Sequence, residues 1–211
     1  MKDRPLIIYP FREVGVLGRY LKLSREEPIQ SADLYLRPPR LSDWKDWSTL
    51  RMESRQYLIP WEPTWGIDTL TKPSFKARLR QYSKDSKRGV GHAFFIFRKS
   101  DDQLIGSITL SNIRRGVAKT GTIGYWTGQR YARSGYMFES LKALLPELFV
   151  RFGLRRIEAA CLPENTPSAS LLKKAGFLYE GRARQYLCIN GKWQDHLLFA
   201  LLKSDKDRME L

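Results

Sequence analysis

The chain has 211 residues, 42% hydrophobic and 12% aromatic, which is enough for one substantial core and fits a single domain better than two. Its 37 lysines and arginines stand against 22 aspartates and glutamates, and the formal charge of +15 favours polyanionic partners and salt-sensitive encounters. No apolar run approaches the roughly 20 residues of a membrane span. The N-terminus lacks the shape of a signal peptide, and Cys161, Cys188, His92 and His196 lack metal-ligand spacing, so a cytoplasmic protein without a metal centre is expected.

Residues 1–33 carry charges that nearly cancel, with apolar stretches at 6–11 and 20–23 able to dock on a body. They read as an N-terminal extension of unassigned role, before a domain over 34–203 and a tail over 204–211. Alternation over 34–37 predicts a first strand, ended by Pro38 and Pro39. Ser42 is placed to cap a helix running to about Ser54, with Trp44, Trp47, Leu50 and Arg51 along one side. A loop, Pro60-Trp61-Glu62-Pro63-Thr64-Trp65, leads to a second helix opened by Asp68 or Thr71 and lasting to about Lys87, with Phe75, Leu79 and Tyr82 inward. Along its outer side Lys72, Lys76, Arg80, Lys84 and Arg88 recur every four residues. Each like-charged pair costs the helix about 0.2–0.5 kcal/mol. Such a ridge is ordinarily a solvated face, but a phosphate backbone would turn it into affinity through counterion release.

Strands are predicted over 93–98, 104–113 and 120–127, the first two joined by a polar turn. A turn over 128–135 carries two arginines, and from Tyr136 a helix follows with Met137, Leu141, Leu144, Leu145 and Leu148 on one face, ending near Gly153. The strand over 156–161 runs parallel to 123–127, because a helix crosses between them. A short helix over 165–175 stops at Gly176, and strands 177–189 and 193–202 close a hairpin across Asn190-Gly191. These elements give an α/β (α+β) fold: a mixed, mainly antiparallel sheet of about seven strands with helices on both faces. Both cysteines fall in strands and read as small buried hydrophobes; the two histidines read as surface or hydrogen-bonded structural groups.

A strand passing through a Gly and Arg turn into a helix offers free N–H groups and a positive dipole end to a phosphate. The turn Arg130-Tyr131-Ala132-Arg133-Ser134-Gly135, followed by Asn165-Thr166-Pro167-Ser168 and Gly176-Phe177, resembles the GNAT N-acetyltransferases. That family has an Arg/Gln-x-x-Gly-x-Gly/Ala loop and an Asn-x-x-Ser segment opening a helix that ends in Gly-Phe. Within it the likeness is to the branch that acetylates the N-terminal alanine of a ribosomal protein, carried by the Pro60–Trp65 loop, Leu110-Ser111-Asn112-Ile113-Arg114-Arg115-Gly116 and Ile189-Asn190-Gly191-Lys192-Trp193-Gln194-Asp195-His196. The resemblance spans about residues 34–202. Arg133 departs from it, standing where the pattern has its first glycine.

The resemblance implies acetyl-CoA as co-substrate, lying between two splayed strands with its pantetheine amides against Tyr125, Trp126 and Thr127. Its pyrophosphate would rest on the amides of Ala132, Arg133, Ser134, Gly135 and Tyr136, with Arg130 and Arg133 adding charge-assisted bonds. A positive φ at Arg133 would cost roughly 1 kcal/mol; a negative φ, with the guanidinium replacing the glycine contact, is the expectation here. Asn165 would meet the pantetheine chain, and it equally suits a helix N-cap.

The implied reaction is direct attack of an amine on the thioester. An α-amino group with pKa about 7.7–8.0 is roughly a tenth neutral at pH 7, so a carboxylate acting directly or through one water suffices as base. Glu158, on the strand after the long helix, and Glu62, in the loop closing the acceptor side, compete for that role; an ordinary strand carboxylate and an ammonium-binding or turn-capping group are their plain alternatives. Related enzymes often protonate the thiolate with a tyrosine at the position of Leu172, so Ser168 is the substitute, ahead of Tyr179 and Tyr186. The acceptor is a ribosomal protein N-terminus by likeness, with a small amine or amino acid as the competing substrate. A ribosome- or RNA-associated module that kept the fold and lost turnover is the alternative from another class, with Arg133 and Leu172 as its support. Since ribosomal proteins are basic, the charge makes sense if the target is met on rRNA, with Lys72, Lys76, Arg80, Lys84 and Arg88 touching phosphate.

Overall fold

Eight strands form one sheet in the computed structural model, which describes residues 27–208. They are β1 (Ile29–Gln30), β2 (Leu34–Arg37), β3 (His92–Arg98), β4 (Leu104–Arg114), β5 (Thr120–Thr127), β6 (Arg156–Cys161), β7 (Leu178–Ile189) and β8 (Lys192–Leu202), in the order β1-β2-β3-β4-β5-β6-β8-β7. Every neighbouring pair is antiparallel except β5 and β6. The eighth strand, beyond the seven expected, is β1, pairing Ile29 with Leu36 and Gln30 with Tyr35. Two residues carry no readable period, so the sheet begins inside the stretch taken for an extension. The segments 6–11 and 20–23 lie outside the described residues. The start of the expected tail is part of a 3-10 turn, Lys203–Arg208, in which the Asp205 carboxylate accepts from the Leu202 amide at 2.9 Å.

Helices α1 (Trp44–Glu53), α2 (Arg55–Leu58) and α3 (Lys72–Lys87) share one side of the sheet with the packed rings of Trp47, Phe75 and Phe95. Helix α4 (Tyr136–Val150) covers the other side, where Phe94 meets Phe152 just beyond its end. Helix α5 (Thr166–Lys174) lies beside α4, the Lys174 ammonium 4.4 Å from the Phe138 ring centroid. Consecutive phenylalanines at 94 and 95 thus face opposite layers, and β3, covered on both sides, is apolar and buried along nearly its whole length.

Helix α1 does not start as expected. The chain enters through a 3-10 turn, and the buried Asp43 carboxylate, not Ser42, fixes it by accepting from the Arg40 amide at 2.7 Å and from Arg37 at 2.7 and 2.8 Å. Thr71 caps α3, its hydroxyl accepting from the Ser74 amide at 3.4 Å. Lys72, Lys76, Arg80, Lys84 and Arg88 all stay exposed along α3. Cys161 is buried, but Cys188 is exposed, because β7 is the edge strand and most of its side chains face solvent. No described helix is long and apolar enough to cross a membrane.

His92 is one of the structural histidines. Its ring meets Phe152 edge-on at 4.7 Å, and burial, helped by the positive charge of Arg115, lowers its pKa from 6.5 to about 4. The folded state therefore resists a proton that the unfolded chain accepts. The contribution is whole above pH 6.5 and is lost as pH falls from there toward 4, by about 3 kcal/mol at the full shift. Urea unfolding of the wild type should weaken between pH 6.5 and 5, where carboxylates stay ionised, and His92→Gln should flatten that decline; equal slopes would contradict the assignment.

Candidate active site

Strands β5 and β6 pair at only three positions, Thr120 with Arg156, Gly121 with Ile157 and Thr122 with Glu158. Beyond them each strand stays with its outer neighbour, β5 with β4 as far as Thr127 opposite Gly106, β6 with β8 as far as Cys161 opposite Leu197. A bulge on β4 near Asn112, at φ 51°, adds local twist where the strands begin to part. At the far end of the pair, Gly106 lets β4 approach β5 so closely that a Cβ there would sit 2.2 Å from the Trp126 carbonyl oxygen. The inner backbone edges of residues 123–127 and 159–161 are left without a strand partner. Buried peptide groups demand partners, so this wedge is made for a ligand that supplies amides.

A cavity of about 780 Å³ fills the wedge and passes through the sheet. On the α4 side it is lined by Ala132, Arg133, Gly135, Tyr136, Asn165 and Ser168, and within the wedge by Tyr125, Trp126 and Thr127. Arg130 and Ser134 are not among its lining residues. Arg130 is drawn off to Glu53 at 3.5 Å and Gln103 at 3.4 Å, so of the two loop arginines only Arg133 adjoins the cavity.

Arg133 has φ 61°, which corrects the expected negative value, and Gly135 has φ 81°. Two left-handed residues one apart curl the chain so that successive amides face a common concavity, and Arg133 accepts the strain that glycine avoids. The Ala132 amide is already spent on the Gln129 carbonyl at 3.0 Å. The amides of Arg133 through Phe138 have no acceptor among the described residues, because the first helical bond of α4 runs from the Glu139 amide to Gly135. The amides left open are therefore those of 133–138, and the Ala132 amide, expected among them, is not. Lys174 on α5 adds a cation to the lining that sequence reasoning missed.

Asn165 caps α5, its Oδ1 accepting from the Ser168 amide at 3.2 Å, which leaves its amide nitrogen for the cavity. The Ser168 hydroxyl shares a 2.9 Å hydrogen bond with the Tyr125 phenol across the wedge. Burial pushes the Tyr125 phenol well above its ordinary range and raises the Cys161 thiol beside Ser168, so both keep their protons. Leu172 is fully buried and lines nothing; Tyr179 and Tyr186 are largely exposed and stand outside the lining.

The two glutamates separate. Glu158 sits on the last paired rung, held by Arg156 Nε at 2.9 Å and Arg114 at 3.4 Å, outside the cavity lining. From β6 the cavity receives Ala159, Ala160 and Cys161 instead. Glu62 does line it, and its carboxylate accepts from both terminal nitrogens of Arg51 and from Trp65 Nε1 at 2.8 Å. The tryptophans pack on the guanidinium, not on the carboxylate: Trp65 and Trp126 lie 4.4 and 4.8 Å from Arg51 Cζ. The Glu62 carbonyl also takes the Asn190 amide at 2.9 Å, joining the acceptor loop to the hairpin tip over the cavity. His196, expected to be structural, is buried and forms part of this wall.

A split between two parallel strands with free edge amides, opening on a helix N-terminus whose first amides have no acceptor among the described residues, has the form of an acyl-CoA transferase site. The profile of the acetyltransferase (GNAT) domain matches residues 33–178. The [ribosomal protein uS5]-alanine N-acetyltransferase of Escherichia coli is 35% identical over 153 residues, 72% of this chain and 79% of that one. The probable N-acetyltransferase YjcK of Bacillus subtilis is 32% identical over 180 residues, 85% of this chain and 99% of that one. Among solved structures, Mycobacterium smegmatis RimJ in complex with CoA-disulfide superposes with a TM-score of 0.80 at 31% identity, covering 87% of this chain and 89% of that one. The chain belongs to the GNAT family and is an acetyl-CoA-dependent acetyltransferase.

Proposed function

We propose that this enzyme acetylates the N-terminal α-amine of a protein, a ribosomal protein beginning with alanine, by direct attack within a ternary complex. The observation that carries the reading is the second part of the cavity lining, formed by the loop after α2 and the β7–β8 hairpin. There Trp61, Glu62 and Pro63 line it from one segment and Leu187 and Ile189 from the other, with the Asn190 amide bridging to the Glu62 carbonyl. A chain end fits a pocket walled by two loops, and the likeness to the uS5-alanine enzyme supports alanine as its first residue. An α-amine is also the acceptor that needs least help to lose its proton.

In this scheme the amides of 133–138 hold the pyrophosphate, with Arg133 and Lys174 adding charge, and the open edge of β5 pairs the pantetheine amides. The Ser168 hydroxyl, hydrogen-bonded to the Tyr125 phenol, donates to the departing sulfur. Glu62, fixed by Arg51 and Trp65, has one lone pair of Oε1 left to orient the incoming amine. Acetyl-CoA supplies the acyl group and a thiolate whose pKa near 8.5 makes it a tolerable leaving group.

The exposed ridge on α3 lies on the same side of the sheet as the acceptor loop, and it supports encounter with the target on rRNA in the cytoplasm. One experiment covers both parts of the reading. Purified protein with acetyl-CoA and a peptide starting with alanine should release CoA well above the hydrolysis background. Lys76→Gln/Arg80→Gln/Lys84→Gln should keep that turnover yet lose co-sedimentation with ribosomes at low salt. A silent wild type would sink the transferase reading for α-amines, and unchanged co-sedimentation would sink the rRNA contact alone.

A further inference from the structure

Attack on the thioester requires a group that takes the proton of the amine, and few of the described lining residues are able to accept one. Tyr125 and the Cys161 thiol are held in their protonated forms, and Arg133 and Lys174 are cations. Glu158 is tied into ion pairs at the closed end of the wedge. Glu62 has both oxygens engaged by Arg51 and one of them also by Trp65.

His196 differs from all of these. Strand β8 pairs Leu198 with Ala160 and Leu197 with Cys161, so His196 stands one residue beyond the end of β6, on the face that Ala160 presents. Its ring is 3% exposed, flanked by Tyr186 at 5.7 Å between centroids, and lines the cavity. Its Nδ1 lies 3.0 Å from the Gln194 carbonyl oxygen. A carbonyl only accepts, so Nδ1 carries a hydrogen and donates it. In the neutral ring that leaves the lone pair on Nε2, which has no hydrogen-bond partner among the described residues. A buried imidazole whose tautomer is set by a backbone carbonyl, with its basic nitrogen unpartnered at a substrate cavity, is arranged as a proton acceptor.

We propose that His196 is the catalytic base, resting on the reading of the site as an amine acetyltransferase. The C–N bond forms as the amine nitrogen attacks the thioester carbon, and the proton it sheds passes to Nε2, directly or through one water. The C–S bond then breaks, and the sulfur takes a proton through the Ser168 hydroxyl, replenished from solvent. The imidazolium returns its proton to solvent, so the products are the amide and CoA thiol.

The test uses His196→Asn, whose side-chain N–H reproduces the Nδ1 bond to Gln194 while Nε2 is deleted. At saturating acetyl-CoA and alanine-starting peptide, kcat should fall by roughly 10²- to 10⁴-fold with the Kd for acetyl-CoA unchanged. For His196→Ala, added imidazole should restore a measurable part of the lost rate, which a purely structural defect would not allow. Turnover of His196→Asn within about threefold of wild type would overturn the proposal, as would parallel losses of kcat and acetyl-CoA affinity without imidazole rescue. Either outcome leaves an active wild type, so it is distinct from failure of the transferase reading, in which the wild type itself is silent.

Discussion

Gly135→Val should raise the Kd for acetyl-CoA by about 100-fold, or about 2.8 kcal/mol. Gly135 is the N-cap of α4 at φ 81° and ψ −14°, and a Cβ there meets no protein atom within 4 Å. The substitution therefore needs no repacking in the free protein; its first effect is conformational, roughly 1–2 kcal/mol for a left-handed residue with a side chain. Relaxing that strain means rotating φ toward negative values, which turns the 133–138 amides out of their common concavity. If the backbone holds instead, the valine methyls occupy open space at the cradle, where phosphate oxygens would approach. Both routes weaken the same contact, so calorimetric titration with CoA reads it directly while the unliganded melting temperature moves by only a few degrees. Arg133→Gly should separate the two quantities: a residue at φ 61° relaxes and the fold gains up to about 1 kcal/mol, while the cradle loses a cation and affinity still drops severalfold. An unchanged CoA affinity in Gly135→Val would mean that the pyrophosphate rests elsewhere.

Arg51→Ala should be the most destabilising single change on the acceptor side, by about 3–5 kcal/mol, lowering the melting temperature on the order of 10 °C. Arg51 is 7% exposed, its guanidinium packed against Trp47, Trp65 and Trp126 while both ends hold Glu62. Removing it opens a hole among three indoles and leaves a largely buried carboxylate with only the Trp65 N–H. Because most of the loss comes from that stranded charge, Arg51→Ala/Glu62→Gln should be more stable than Arg51→Ala alone. The acceptor loop would lose its anchor, so the Michaelis constant for the peptide should rise more than that for acetyl-CoA. Strict additivity of the two changes would show that the pair is not the element that fixes the loop.

Where one local signal decides the structure, the sequence was a sufficient guide. Asn190 and Gly191, both at positive φ, make the hairpin turn that this dipeptide favours, and β6 has the bounds that its flanking helices and glycines imply. Other features depend on a count that no local signal contains. Whether Glu158 reaches the cavity turns on how many rungs join β5 to β6 before they part, and three is enough to shut it out. His196 was hidden in another way. Counting rungs from the hairpin turn misplaces its partner on β7, because the β7–β8 register shifts between Ala183 and Leu187, with Gln185 at φ 46°. The left-handed φ of Arg133 is a choice made by the loop as a whole, against the preference of its own side chain.

The cofactor's diphosphate should lie on the start of α4 while its amide-bearing arm completes the unpaired edge of β5. A crystal structure of the acetyl-CoA complex tests this most directly. It should place pyrophosphate oxygens about 2.7–3.2 Å from amides within 133–138, and pantetheine amides in ladder-like bonds to residues 123–127. A cofactor bound away from that cradle, or strands β5 and β6 closed against each other with the acyl group outside the cavity, would contradict it.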